Sequence, residues 1–336
     1  MSPSLPAVPF GRTDMRVSRV GVGAWAIGGA GWPDAWGAQD DEVSVAAIHR
    51  ALELGVNWID TAPIYGHGHS EEVVGRALRG LSDADRPFVF TKAGLAWDAN
   101  DPMAQPARVA APASIRTEVE ASLRRLGVER IDLFQMHWPP LDGTPLEEYW
   151  PVFVDLRDQG KVRAVGLSNY DVPALDAAEA QGHVDSLQPK FSMVYRDAAA
   201  DVLPWCAEHG TAAIVYSPMA SGLLSGTFSA ERVAALGPDD WRSHHPDFTE
   251  PALSRHLALA DALRPVGERH GVSVAAVAVA WTLAFRGVTG AIVGARHPEQ
   301  IGDWFAAGSL ALDDIDLDEI AAAIEKTGVG SGPARP

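Results

Sequence analysis

The chain has a single cysteine, Cys206, among 336 residues. No disulfide can form within it, which fits a reducing cytosol, and a lone thiol is more often buried filler than a nucleophile. Cations are scarce: 27 Lys and Arg stand against 44 Asp and Glu, a net charge of −17. That balance repels phosphate backbones and anionic membranes, so neither nucleic acid nor a membrane is an expected partner. Any phosphate has to be held by a local basic or backbone site. No apolar run is long enough to cross a bilayer. The most apolar helical stretch, Val274 to Phe285, falls well short of roughly 20 residues and reads as a core helix. The opening MSPSLPAVPF has neither a basic nor an apolar leader segment, so no secretory or transit peptide is expected and the cytoplasm is the expected location. A dinucleotide fingerprint is missing too. GVGAWAIGGAGW, Gly21–Trp32, is rich in glycine but has no G-x-G-x-x-G opening a helix, so a dinucleotide would be held another way.

What is present is alternation. A composition of 47% hydrophobic and 21% charged residues is that of a globular protein, and the length suits one domain over residues 1–330 with a tail at 331–336, fraying from Gly328. Apolar runs at Arg19–Gly23, Asn57–Asp60, Phe88–Lys92, Ile131–Met136, Ala164–Leu167, Ser186–Gln188, Ala212–Tyr216 and Gly290–Val293 read as strands buried on both faces. Amphipathic stretches separate them, among them Asp41–Leu54, Ser70–Leu78 and Pro112–Leu126, with Gly55 and Gly127 as left-handed caps. Eight such units predict an α/β fold of the (β/α)8 TIM barrel type, with a doubly wound sheet as the alternative. Phe10–Ser18 suits a small hairpin closing the barrel bottom. Residues 93–111 and 217–249 are long connections on the face where barrel active sites lie.

Three of the runs end in chemistry: NWID in Asp60, FVFTK in Lys92 and IDLFQMH in His137, with Tyr65 five residues beyond Asp60. If strands 2 to 4 are neighbours these groups meet. Lys92 would pair with Asp60, lower the phenol pKa of Tyr65 and make it a proton donor, while neutral His137 would orient a substrate oxygen. That is half of a carbonyl reduction, and the hydride has to come from a nicotinamide cofactor. Taken singly, each residue also suits a structural ion pair or a satisfied core histidine. No metal site is expected.

GVNWIDTAPIYGHGHSEEVVGRAL, FVFTKAG, RIDLFQMHWP, GLSN, YSPMASGLLSG and VGARHPEQ together resemble, in order, the motifs of the aldo-keto reductase superfamily. The resemblance covers almost the whole chain and implies the same barrel, with Asp60, Tyr65, Lys92 and His137 as catalytic tetrad. It further implies that Ser168, Asn169 and Gln188 bond the nicotinamide carboxamide and that Tyr216 stacks on its ring. Gly23, Ala24, Trp25 and Asp60 join this cofactor set. Ser217, Pro218, Met219, Ser221, Gly222 and Leu224 would cover the pyrophosphate. Gly294, Ala295, Arg296 and Gln300 would hold the adenosine end, with Asp303 beside them. Arg296 suits a 2′-phosphate, so NADP(H) is expected. Two positions depart from the pattern: Asp303-Trp304 replaces Glu-Asn, and Thr227 replaces a lysine.

Trp25, Trp97 and Trp138, with Tyr65 and His137, are expected to wall the substrate pocket, and His67 and His69 lie in the loop beyond Tyr65. The expected substrate is a small carbonyl compound or its alcohol, and a homo-oligomer is compatible with the composition. The alternative function is an NADPH-binding channel-type β subunit with slow or no turnover. A hydrolytic barrel ranks last, because Asp60 has no second acid at a neighbouring strand end.

Overall fold

The computed structural model describes residues 5–82 and 84–336. All eight apolar runs form strands: Val20–Gly23 (β1), Trp58–Asp60 (β2), Phe88–Ala93 (β3), Ile131–Met136 (β4), Val162–Ser168 (β5), Ser186–Gln188 (β6), Ala212–Val215 (β7) and Val288–Gly294 (β8). They pair in parallel in chain order, and β8 closes on β1, giving a (β/α)8 barrel. β5 and β8 begin two residues earlier than the apolar runs suggest. The difference comes from pairing: Val162 is in register with Ile131, and Val288 with Ala213.

Side chains alternate along each strand, and this divides the core in two. Ile59, Val89, Phe134, Val165, Leu187 and Val293 point outward and pack in the larger cluster with the helices. Their neighbours Trp58, Phe90, Leu133, Ala164, Ile214 and Ile292 point into the barrel, where they meet Phe10, Met15 and Val17. Those last three residues come from the N-terminal hairpin, Ala7–Pro9 against Arg16–Ser18, which starts earlier than predicted because Phe10 to Met15 form its turn. The hairpin thus plugs the bottom. Trp58 fills the space beside Gly21, where a Cβ would lie 2.2 Å from the indole, and its Nε1 donates to Ser18 O at 2.8 Å.

Two residues further along the same inward stripes the chemistry changes. Asp60 follows Trp58, Lys92 follows Phe90, Gln135 and His137 follow Leu133, and Tyr216 follows Ile214. The barrel interior is therefore an apolar plug beneath a polar ring.

Above the ring the long connections fold back. Residues 24–40 and 217–249 touch: Trp36 bridges to Asp240, and Trp241 N donates to Ala35 O at 3.0 Å. Leu95–Ala96 pairs with Ala107–Arg108 within the connection after β3. The C-terminal segment does not fray as expected. Arg196 is buried and donates to Val329 O at 2.8 Å and Gly332 O at 3.2 Å as well as to Met193 O, so tail carbonyls help satisfy its guanidinium. Val274–Ala284 is buried throughout, and no described helix is long and apolar enough to cross a membrane.

Phe10 is fully buried with its ring 5.3 Å from that of Phe90. Phe10→Ala should cost about 3 to 4 kcal/mol of stability through the cavity it leaves. Urea unfolding should show this as a lowered midpoint at unchanged slope.

Candidate active site

An ammonium has three hydrogens to place when it is buried. Lys92, fully buried, aims Nζ at Asp60 Oδ1 (2.6 Å), Thr61 O (3.0 Å) and Tyr65 OH (3.4 Å). The second carboxylate oxygen of Asp60 accepts from Gln188 Nε2 at 2.9 Å and faces Gln135 Nε2 at 3.5 Å. Behind this pair, buried Glu71 accepts from Thr91 Oγ1 at 2.7 Å and Arg125 Nε at 2.6 Å. A lysine removed from water loses several kcal/mol of hydration, so each of these partners helps keep it charged.

Tyr65 is placed by two loops in close contact. Gly66 lies against Gly28 so tightly that a Cβ on it would stand 2.1 Å from Gly28 O, and its φ of 63° is left-handed. Ser70 Oγ donates to Ala24 O at 2.8 Å and joins the same two loops. The Tyr65 ring meets that of His137 edge-on at 5.8 Å and runs parallel to that of Trp25 at 6.4 Å.

The electrostatics correct one expectation. Despite Lys92, the phenol of Tyr65 is pushed well above its ordinary value, first by burial and then by the charges of Asp60 and Asp34. The cation is already neutralised by Asp60 at 2.6 Å and is a long 3.4 Å from the phenol. Lys92 itself is lowered by burial, against the opposing pull of Asp60 and Glu71. His137 is held well below the usual imidazole range by burial, Lys92 and Arg108, so it is neutral.

Asp60, Tyr65 and His137 line a cavity of about 560 Å³, within the size range of small-molecule sites, and Lys92 is buried behind them. Gly23, Ala24, Trp25 and Trp138 line it, as do Ser168, Asn169, Gln188 and Tyr216. So do Ser217, Pro218, Met219, Ser221 and Gly222, followed by Gly294, Ala295, Arg296, Gln300 and Asp303. Two predicted residues lie apart. Leu224 is fully buried in the outer core with its N–H donated to Met219 O, since the turn at Ser221 and Gly222 points it inward. Trp97 has passed the end of the Leu95–Ala96 ladder and stacks on His67 at 5.2 Å; Leu95 and Pro106 line the cavity instead. His69 also turns away, to Asp41 at 2.8 Å.

The wall fits a nicotinamide dinucleotide in its chemistry. Gln188 spends its Nε2 on Asp60, which leaves its carbonyl oxygen to accept from a primary carboxamide. Asn169 is used within the protein: its Nδ2 donates to His137 O and Ser168 Oγ, and its Oδ1 accepts from Tyr216 OH at 2.9 Å. Asn169, Ser217, Ala220 and Ser221 all have positive φ, strain that concentrates where backbone is bent to a ligand. Arg296 bonds Gln39 Oε1 at 2.8 Å and stands close enough to Arg242 that the two cations repel. Sequence reasoning missed Asp34, Trp36, Lys190, Trp241 and Arg242, all on the cavity wall. The only signal for Trp241 and Arg242 was the length of the 217–249 connection.

The profile described as the Aldo/keto reductase family matches residues 19–325. Aldo-keto reductase YhdN of Bacillus subtilis is 36% identical over 94% of this chain and 92% of its own. The NADH-specific methylglyoxal reductase of Escherichia coli is 34% identical over 95% and 99%. The structure of a glycerol dehydrogenase, AKR11B4, from Gluconobacter oxydans superposes with a TM-score of 0.87 at 37% identity, covering 97% of both chains.

His137 generates a test of burial. A histidine whose folded pKa is depressed contributes stability that is complete above the unfolded value near 6.5 and is lost as pH falls through the folded value, because the unfolded chain takes the proton first. Urea unfolding of the wild type should weaken from pH 7 to pH 5. His137→Gln should weaken less over the same range, by about 1 kcal/mol.

Proposed function

The chain belongs to the aldo/keto reductase family, and from that premise we propose that it reduces a short aldehyde or ketone to the alcohol with NADPH, in the cytoplasm. The observation that carries this reading is the convergence of Asp60, Tyr65 and His137 on one cavity wall, with the buried ammonium of Lys92 bonded to Asp60 and Tyr65. Two relatives support this reading of the substrate: one is described as a methylglyoxal reductase, the other as a glycerol dehydrogenase.

When bound, the nicotinamide supplies the hydride. Everything else falls to the protein. Tyr65 OH donates a proton to the carbonyl oxygen as charge builds there, and neutral His137 hydrogen-bonds the same oxygen and fixes its direction. Lys92 stabilises the phenolate left behind, and Asp60 keeps Lys92 aimed. The elevated phenol pKa has a directional consequence. At neutral pH Tyr65 holds its proton, which suits reduction, whereas alcohol oxidation requires the phenolate and is favoured as pH rises.

Arg296 supports the choice of NADPH. It sits at the cavity rim beside Arg242, and its bonds to Gln39 and Ala38 orient it without a carboxylate partner among the described residues. An NADH-specific relative makes the choice one to be measured.

Tyr65→Phe should lower kcat for aldehyde reduction by at least about 100-fold, with cofactor binding retained. NADPH absorbance followed over a panel of short aldehydes tests this, and equal turnover by the two proteins rejects the assignment. Arg296→Ala should raise the Kd for NADPH more than that for NADH, by roughly tenfold. A wild-type preference for NADH rejects the role of Arg296.

A further inference from the structure

Each charged strand-end residue of the site has a threonine beside it, Thr61 after Asp60 and Thr91 before Lys92. Alternation with the inward Asp60 and Lys92 turns both threonines outward, and both are fully buried, so each hydroxyl needs a partner among the surrounding helices. Both partners come from the first turn of one helix, His69–Leu78. Thr61 Oγ1 and Ser70 Oγ lie 2.8 Å apart, and Thr91 Oγ1 donates to Glu71 Oε1 at 2.7 Å. Thr61 also supplies the carbonyl that accepts from Lys92.

Glu71 takes its cation from the next helix, Pro112–Leu126, where Arg125 Nε donates to Glu71 Oε2 at 2.6 Å. Two glycines leave room for that arginine. A Cβ at Gly68 would stand 2.7 Å from Arg125 Cδ, and one at Gly75 would stand 2.6 Å from Arg125 O. Burial is unequal across the pair: the Glu71 side chain has no exposure, whereas that of Arg125 is 20% exposed. Water screens the cation more than the acid, so a negative field is left on the side of Lys92. Glu118, on the same helix as Arg125, is a second acid behind the strand and accepts from Gly94 N at 2.8 Å and Ser114 Oγ at 2.9 Å. On the barrel side Lys92 faces Asp60, Tyr65 and the neutral His137.

We propose that Glu71 and Arg125 are a positioning pair outside the barrel wall, whose charge balance sets the alkaline limit of carbonyl reduction through Lys92. This inference rests on the carbonyl-reductase reading above and adds to it a control on protonation. Burial lowers Lys92 and Glu71 opposes that, whereas the Tyr65 phenol is lifted well above its ordinary value. As pH rises, Lys92 is therefore the first of the two to lose its proton. A neutral amine no longer stabilises the phenolate that proton donation leaves, and reduction fails. Removing the charge of Glu71 brings that failure to lower pH. Removing the charge of Arg125, which offsets Glu71, delays it to higher pH.

The experiment records kcat/KM for propanal reduction at saturating NADPH, from about pH 6 to about pH 11, in wild type, Glu71→Gln and Arg125→Gln. Glutamine keeps the shape of glutamate and an oxygen for Thr91. The midpoint of the alkaline fall should move down by at least about 0.5 pH unit in Glu71→Gln and up by a similar amount in Arg125→Gln. A merely structural pair loses rate at every pH, with its midpoints unmoved or moved in one direction together. A midpoint left in place in either variant, or a common direction in both, overturns the proposal. Should one variant fail to fold, the direction of the other decides. A wild type that reduces neither propanal nor methylglyoxal, with NADPH or NADH, defeats the carbonyl-reductase reading instead, and the proposal with it.

Discussion

Everything at the mouth of this barrel is organised by one buried cation. An ammonium without water is tolerable only where acceptors surround it, and Lys92 has Asp60, the Thr61 carbonyl and the Tyr65 hydroxyl in reach. Meeting that requirement fixes its neighbours. Asp60 has to be ionised and is held by the amide of Gln188, while Glu71 adds negative charge from behind. The site is polar because of Lys92 and rigid because of what Lys92 needs.

The strand period places this demand at the right height. Inward positions two residues apart carry first the apolar plug, then the polar ring, so stability and chemistry occupy successive layers of the same strands. Trp58 and Asp60 are the shortest statement of the scheme. The tryptophan joins the barrel to its hairpin floor, and the acid two residues later opens the site.

Much of this was legible in the sequence. Continuous apolar runs ending in Asp60, Lys92 and His137 gave the strands and their polar ends, because parallel strands buried on both faces leave little room for other patterns. What stayed hidden depended on chain segments meeting without periodicity. Asp34, Trp36 and Trp241 lie in two connections far apart in sequence, and no local rule indicates that they pair. Trp97 and Leu224 were misplaced for a related reason: a two-residue ladder and a left-handed turn at Ser221 decide their direction. The pKa of Tyr65 went the other way from expectation because burial, with the charges of Asp60 and Asp34, outweighs a cation that Asp60 has already claimed.

The hairpin floor has a consequence for the timing of events above it. With Phe10, Met15 and Val17 packed into one end, the barrel has a single mouth, overhung by residues 24–40 and 217–249. Two molecules that share such a dead-end vessel cannot come and go independently. Of two ligands stacked along the axis of such a vessel, the deeper has to arrive first and depart last.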